Sequence, residues 1–143
     1  MTVRVERSIT VSAAPERVWE FIADPEKRAR PISVVTDFEV VDDEQANWYL
    51  ELPIPVVNRT LKVETKDVER RYPEYVRFVG KSKVMRVQGE HELEETADGG
   101  TVLTNRFIVD GRLPGVERFF KRNLDEEMEN LEAALREDLE VTA

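Results

Sequence analysis

The sequence contains no cysteine and a single histidine, His91. The first absence excludes disulfides, thiol nucleophiles, iron–sulfur clusters and cysteinyl zinc sites. The second excludes a multi-histidine metal centre on one chain. Glycine is scarce: Gly80, Gly89, Gly99, Gly100, Gly111 and Gly115 are the full set, and no GxGxxG or phosphate-loop pattern can be drawn from them. There is no Gly-x-Ser-x-Gly elbow, and Ser8, Ser12, Ser33 and Ser82 fall in strand or turn contexts, so a serine triad around His91 has no support. No apolar run approaches the ~18 residues of a membrane-spanning helix, and the opening MTVRVERSIT has no apolar signal core. The expectation is a soluble, cytoplasmic protein with no stable membrane insertion.

Charge is what the chain has in quantity. Acidic residues number 30 and basic residues 21, a net charge of −9 over 143 residues. Such a surface repels nucleic-acid phosphates and anionic membranes alike, so neither is an expected partner. Arginine outnumbers lysine by 15 to 6. An acidic, arginine-rich composition fits a halophile's high-salt cytoplasm as well as an ordinary acidic cytosolic protein, and both readings stay open. The clusters Asp42-Asp43-Glu44 and Asp125-Glu126-Glu127 lack EF-hand spacing and read as solvated turns or faces. Asn58-Arg59-Thr60 fits a glycosylation sequon but, without a secretory signal, reads as background. No metal and no cofactor is expected. The length suits one domain, residues 1–143, and a 41% hydrophobic content is enough for a core.

Periodicity lays out the elements. Val3, Val5, Ile9 and Val11 alternate with polar residues as a half-buried strand. Pro15 opens a short helix through Val18, Trp19, Phe21 and Ile22; Asp24 caps a second, with Pro25 after it and Pro31 at its end. Six strands follow, over residues 34–41, 46–52, 59–70, 75–81, 84–94 and 101–110, with Pro53-Ile54-Pro55 as a stiff segment and Asp98-Gly99-Gly100 as a hairpin turn. The period then becomes helical. Val116, Phe120, Leu124, Met128, Leu131, Leu135 and Leu139 make one stripe on a helix of about 24 residues, with Val141-Thr142-Ala143 fraying beyond it. A strand meander with one apolar face must bury it, and the long helix carries the matching stripe. The expected class is therefore α+β: a seven-stranded curved antiparallel sheet wrapped around a long C-terminal helix, with two short helices after strand 1.

Alternation also assigns the buried face. Val34, Thr36, Phe38 and Val40 should point inward, followed by Trp48, Leu50 and Leu52, then Leu61 and Val63, then Val76 and Phe78. Met85, Val87, Gly89, His91 and Leu93 continue the face, and Leu103, Asn105, Phe107 and Val109 complete it. Gly89 in mid-strand marks a bulge or a bend around the helix. His91 and Asn105 are then polar residues on adjoining strands of an apolar face. A ligand cavity would account for them, since apolar pockets carry a few orienting polar groups. So would a bond between the two, to backbone or to a trapped water. Trp48, Phe78, Met85, Phe107, Phe120, Leu124 and Met128 either line a hollow between sheet and helix or fill it.

The order of elements resembles the helix-grip fold of the START/Bet v 1-like (SRPBCC) superfamily, and the resemblance reaches local sequence. Val5 to Val11 followed by Ala14 to Glu26 is similar to that superfamily's opening. Gly99-Gly100-Thr101 entering a strand, and Val109 to Pro114 before the last helix, resemble its branch of polyketide cyclase/dehydrase-like and carbon monoxide dehydrogenase subunit-like proteins. The resemblance implies lipid, polyketide or isoprenoid-quinone ligands. The favoured expectation is a carrier or sensor that binds a small hydrophobic or amphipathic molecule non-covalently, with Trp48, Phe78, Met85, His91, Asn105, Phe107, Phe120, Leu124 and Met128 as ligand-binding residues and none as catalytic. Two alternatives stand beside it: a cyclase or dehydratase using His91 as acid–base group, and an assembly factor with a protein partner. A monomer or weak dimer is expected. The charge balance sets a first test. Salt screens carboxylate repulsion, so the thermal midpoint should rise between low and molar salt; a flat or falling midpoint in a melting series refutes this.

Overall fold

The structure, a computed structural model, describes residues 2–53, 60–112 and 115–141. Strand β1 (Thr2–Val11) runs into two short helices, α1 (Pro15–Ile22) and α2 (Pro25–Ala29). Pro15 and Pro25 occupy the first helical turns, where a missing N–H leaves no bond unmade. The Asp24 carboxylate accepts from Glu26 N at 2.9 Å and Lys27 N at 3.3 Å, capping α2 as the sequence predicts. The helix ends at Ala29, two residues before Pro31.

Six strands follow: β2 (Val35–Val40), β3 (Gln45–Leu50), β4 (Leu61–Arg71), β5 (Tyr75–Lys81), β6 (Met85–Glu95) and β7 (Thr101–Gly111). They form one antiparallel sheet in the order β1-β7-β6-β5-β4-β3-β2, so each hairpin joins spatial neighbours and β1 closes onto the last strand. Gly99 supplies the positive φ of 86° at the β6–β7 turn. Helix α3 (Val116–Val141) then lays Val116, Phe120, Leu124, Met128, Leu131 and Leu135 against the sheet, all buried. This is the curved-sheet, helix-grip α+β arrangement expected from the sequence. Residues 54–59 carry the Pro53-Ile54-Pro55 stiffness and the Asn58 sequon, and 142–143 carry the frayed end; these expectations lie outside the described residues.

The inward face follows the alternation on β3 to β7 and departs from it on β2. Thr36 is exposed and donates to Tyr49 O at 3.2 Å, and Val40 is 48% exposed. A register shift between Val35 and Asp37 breaks the period of two on this edge strand. Gly89 has a steric reason. The β5–β6 and β6–β7 registers run through it without a shift, with Gly89 opposite Phe78. A Cβ at Gly89 would lie 2.2 Å from Phe78 Cε1 and 2.6 Å from Cζ. The ring covers the glycine backbone, as aromatic side chains do beside strand glycines. Gly89→Ala must push the ring out of a filled core and should cost about 1–3 kcal/mol in urea unfolding; a loss under half a kcal/mol would reject that account.

Candidate functional site

Two features sit side by side between the sheet and α3. The first is an enclosed apolar cavity. Trp48, Met85, Phe107, Phe120, Leu124 and Met128 line it, joined by Ile32, Val34, Leu50, Val63 and Leu131. Six of the nine residues expected to bind a ligand therefore share one wall. The volume open to the centre of a water-sized sphere is about 40 Å³. That admits a water molecule but is far below the roughly 300 Å³ at which small-molecule pockets begin. In this conformation the side chains nearly fill the interior.

One carboxylate reaches the cavity wall. Glu127, read from the sequence as part of a solvated acidic face, is buried. Its oxygens accept from Ser33 N at 2.9 Å, Ser33 Oγ at 2.7 Å and Asn130 Nδ2 at 3.2 Å, which clasps the α2–β2 connection to α3. Asp125 in the same run does stay exposed. The signal for Glu127 was in the spacing: it falls three after Leu124 and four before Leu131, inside the apolar stripe.

The second feature is a buried polar cluster around Phe78, which with His91 and Asn105 does not line the cavity. His91 and Asn105 are register partners on β6 and β7, and both are fully buried. His91 Nδ1 and Asn105 Oδ1 are 2.7 Å apart. Burial, first, and then the nearby Arg28 charge push the imidazole down to about 3, against the small opposing effect of Asn105. The ring is therefore neutral near pH 7. It donates from Nδ1 to the amide oxygen and leaves Nε2 an acceptor. His91 Nε2, Asn105 Nδ2 and the cavity-wall Trp48 Nε1 have no hydrogen-bond partner among the described residues. The Phe78 ring lies nearly parallel to His91, at 20° and 6.1 Å between centroids. It also meets Trp48 at 5.7 Å and Phe107 at 5.8 Å.

Sequence reasoning missed the charged members of this cluster. Arg28 of α2 is buried and donates from Nη2 to Asp67 Oδ1 at 2.7 Å. Asp67 of β4 also accepts from Arg70 Nε at 2.8 Å. Burial lowers the Arg28 guanidinium from its usual value, with the Asp67 charge opposing; the group remains cationic. Asp67 was legible in principle, because extending the Leu61–Val63 alternation through Thr65 reaches it.

The chain belongs to the family described as polyketide cyclase/dehydrase and lipid transport, whose sequence profile matches residues 2–136. No curated protein matches the sequence significantly. Among solved structures, it is similar to a START superfamily protein from Mycobacterium smegmatis (TM-score 0.77, 14% identity, 98% of this chain and 99% of that one). It is similar also to the ZhuI aromatase/cyclase from Streptomyces sp. R1128 (TM-score 0.75, 14% identity, 100% and 97%). A Thermus thermophilus protein gives TM-score 0.71 at 20% identity over 100% and 99%. At these identities the likeness is one of fold. Among the described residues no helix is long and apolar enough to cross a membrane.

The depressed imidazole sets a pH test. Between pH 3 and 6.5 the unfolded chain binds a proton at His91 and the folded one does not, so stability falls as pH drops through that window. From pH 7 to 5 the histidine should account for about 2 kcal/mol of loss. His91→Gln keeps an amide at the site and cannot titrate, so its loss over the same interval should be smaller by about that amount in urea unfolding. Equal losses would show that His91 is not held neutral.

Proposed function

We propose that the protein binds a small hydrophobic or amphipathic molecule non-covalently between sheet and α3, as a carrier or sensor. The observation that carries the reading is the Trp48 indole N–H, buried without a partner on an otherwise apolar cavity wall. A wall that served packing alone gains nothing from a stranded donor, which costs about 1–3 kcal/mol. A ligand acceptor would satisfy it while the rest of the molecule meets apolar side chains. The family description, which includes lipid transport, supports the same reading. Entry requires the walls to give way. Met85 and Met128 are the adaptable side chains there, and the Ser33–Glu127 clasp is the contact that holds the neighbouring connection closed.

The cyclase alternative is weaker at this site. A general acid works best with a pKa near the working pH, and an imidazole at about 3 carries no proton to give at neutrality.

A neutral naphthylamine probe tests the proposal. It should bind wild type saturably at one site with energy transfer from tryptophan. Leu124→Phe, which fills the cavity, should weaken it tenfold or more. Absence of binding by the folded wild type, or equal binding by Leu124→Phe, would refute the cavity site and turn attention to a protein-interaction role.

A further inference from the structure

Resting on that binding reading, we infer that the bound molecule carries a carboxylate head held by Arg28, with its apolar remainder in the cavity and the Phe78 ring as the wall between. Arg28 is 4% exposed. One of its three nitrogens is committed, Nη2 to Asp67; Nε and Nη1 are buried with no partner among the described residues. Asp67 is shared, since its other oxygen accepts from Arg70. One carboxylate thus stands in direct contact with two guanidiniums, and this hydrogen-bonded trio carries a net positive charge. Arg70 spends its remaining donors on Ala23 O at 2.6 Å and Asp43 O at 2.8 Å. The spare donors therefore belong to Arg28. Asp24, the half-buried cap of α2, contributes a weaker attraction than the Arg70 repulsion. A buried cation with unmet N–H groups is costly, and an anion is the group that relieves both charge and hydrogen bonding.

The surroundings fit an amphipathic ligand. The Arg28 guanidinium carbon lies 4.9 Å from the Phe78 centroid, and its charge is felt at His91. Asn105 Nδ2 adds a further unmet donor beside the same histidine. Phe78 also touches Trp48 and Phe107, which are walls of the apolar cavity. Displacing this one ring would join the cavity to the guanidinium, giving an apolar chamber with donors at its end.

The test compares decanoate with decan-1-ol, equal in length, by displacement of the neutral probe at pH 7. Decanoate should bind wild type at least tenfold more tightly. Arg28→Gln should bring the two within threefold of each other while leaving decanol affinity within threefold of wild type. Because removing one member of a buried ion pair can unfold the protein, Asp67→Asn provides a second arm. It deletes the competing carboxylate, so the acid-over-alcohol preference should rise, and decanoate should raise its melting temperature more than that of wild type. Equal binding of acid and alcohol by wild type, or a preference that falls in Asp67→Asn, overturns the anionic head and leaves the cavity proposal standing. Failure of probe, acid and alcohol all to bind overturns both.

Discussion

Phe78 lies flat where a side chain on Gly89 would have to be, and the interior is arranged around that contact. The two residues face each other across β5 and β6, and any β-carbon at Gly89 would overlap the ring. With the ring seated there, its edges and faces set the places of Trp48, Phe107, His91 and the Arg28 guanidinium. The apolar cavity lies on the Trp48 and Phe107 side, and the charged and amide groups gather around His91 and Arg28. One small-to-large pairing thus divides the core into an apolar half and a polar half.

Charge ties the elements around that core. The trio Arg28–Asp67–Arg70 links α2 to β4 and, through Arg70, to the carbonyl of Ala23 after α1. On the other side, Arg7 of β1 meets Glu132 at 3.1 Å, with Glu129 at 3.7 Å, and Arg17 and Lys27 both reach Asp138 of α3. The exposed members of this set are worth little individually. The buried one differs, because Arg28 and Asp67 lie out of solvent, where their charges interact strongly and a lost partner is expensive. An acidic chain with few lysines thus places one arginine where only a carboxylate can face it.

The order of elements was legible because it depends on local signals. Period two marks strands, 3–4 spacing marks α3, and Pro15, Asp24, Pro25 and Gly99 punctuate the chain at the positions the structure uses. The face of β3 to β7 followed from alternation, and so did the pairing of His91 with Asn105. Alternation failed on β2, where an edge-strand register shift turned Thr36 and Val40 outward. It was also abandoned too early on β4, where the inward position after Thr65 is an aspartate.

By itself, the sequence determined which residues are apolar on each face, since hydrophobic periodicity needs no knowledge of neighbours distant in the chain. From that followed the sheet, the helix stripe and the exclusion of metal-histidine, thiol and phosphate-loop chemistry. Only the tertiary structure decided how far the interior is filled, because packing density depends on how side chains from seven strands and α3 interlock. It alone joined Arg28 to Asp67 across 39 residues and put Glu127 out of water. Charged residues read as solvent-facing until a partner distant in sequence is brought to them, and no local pattern says which ones will be.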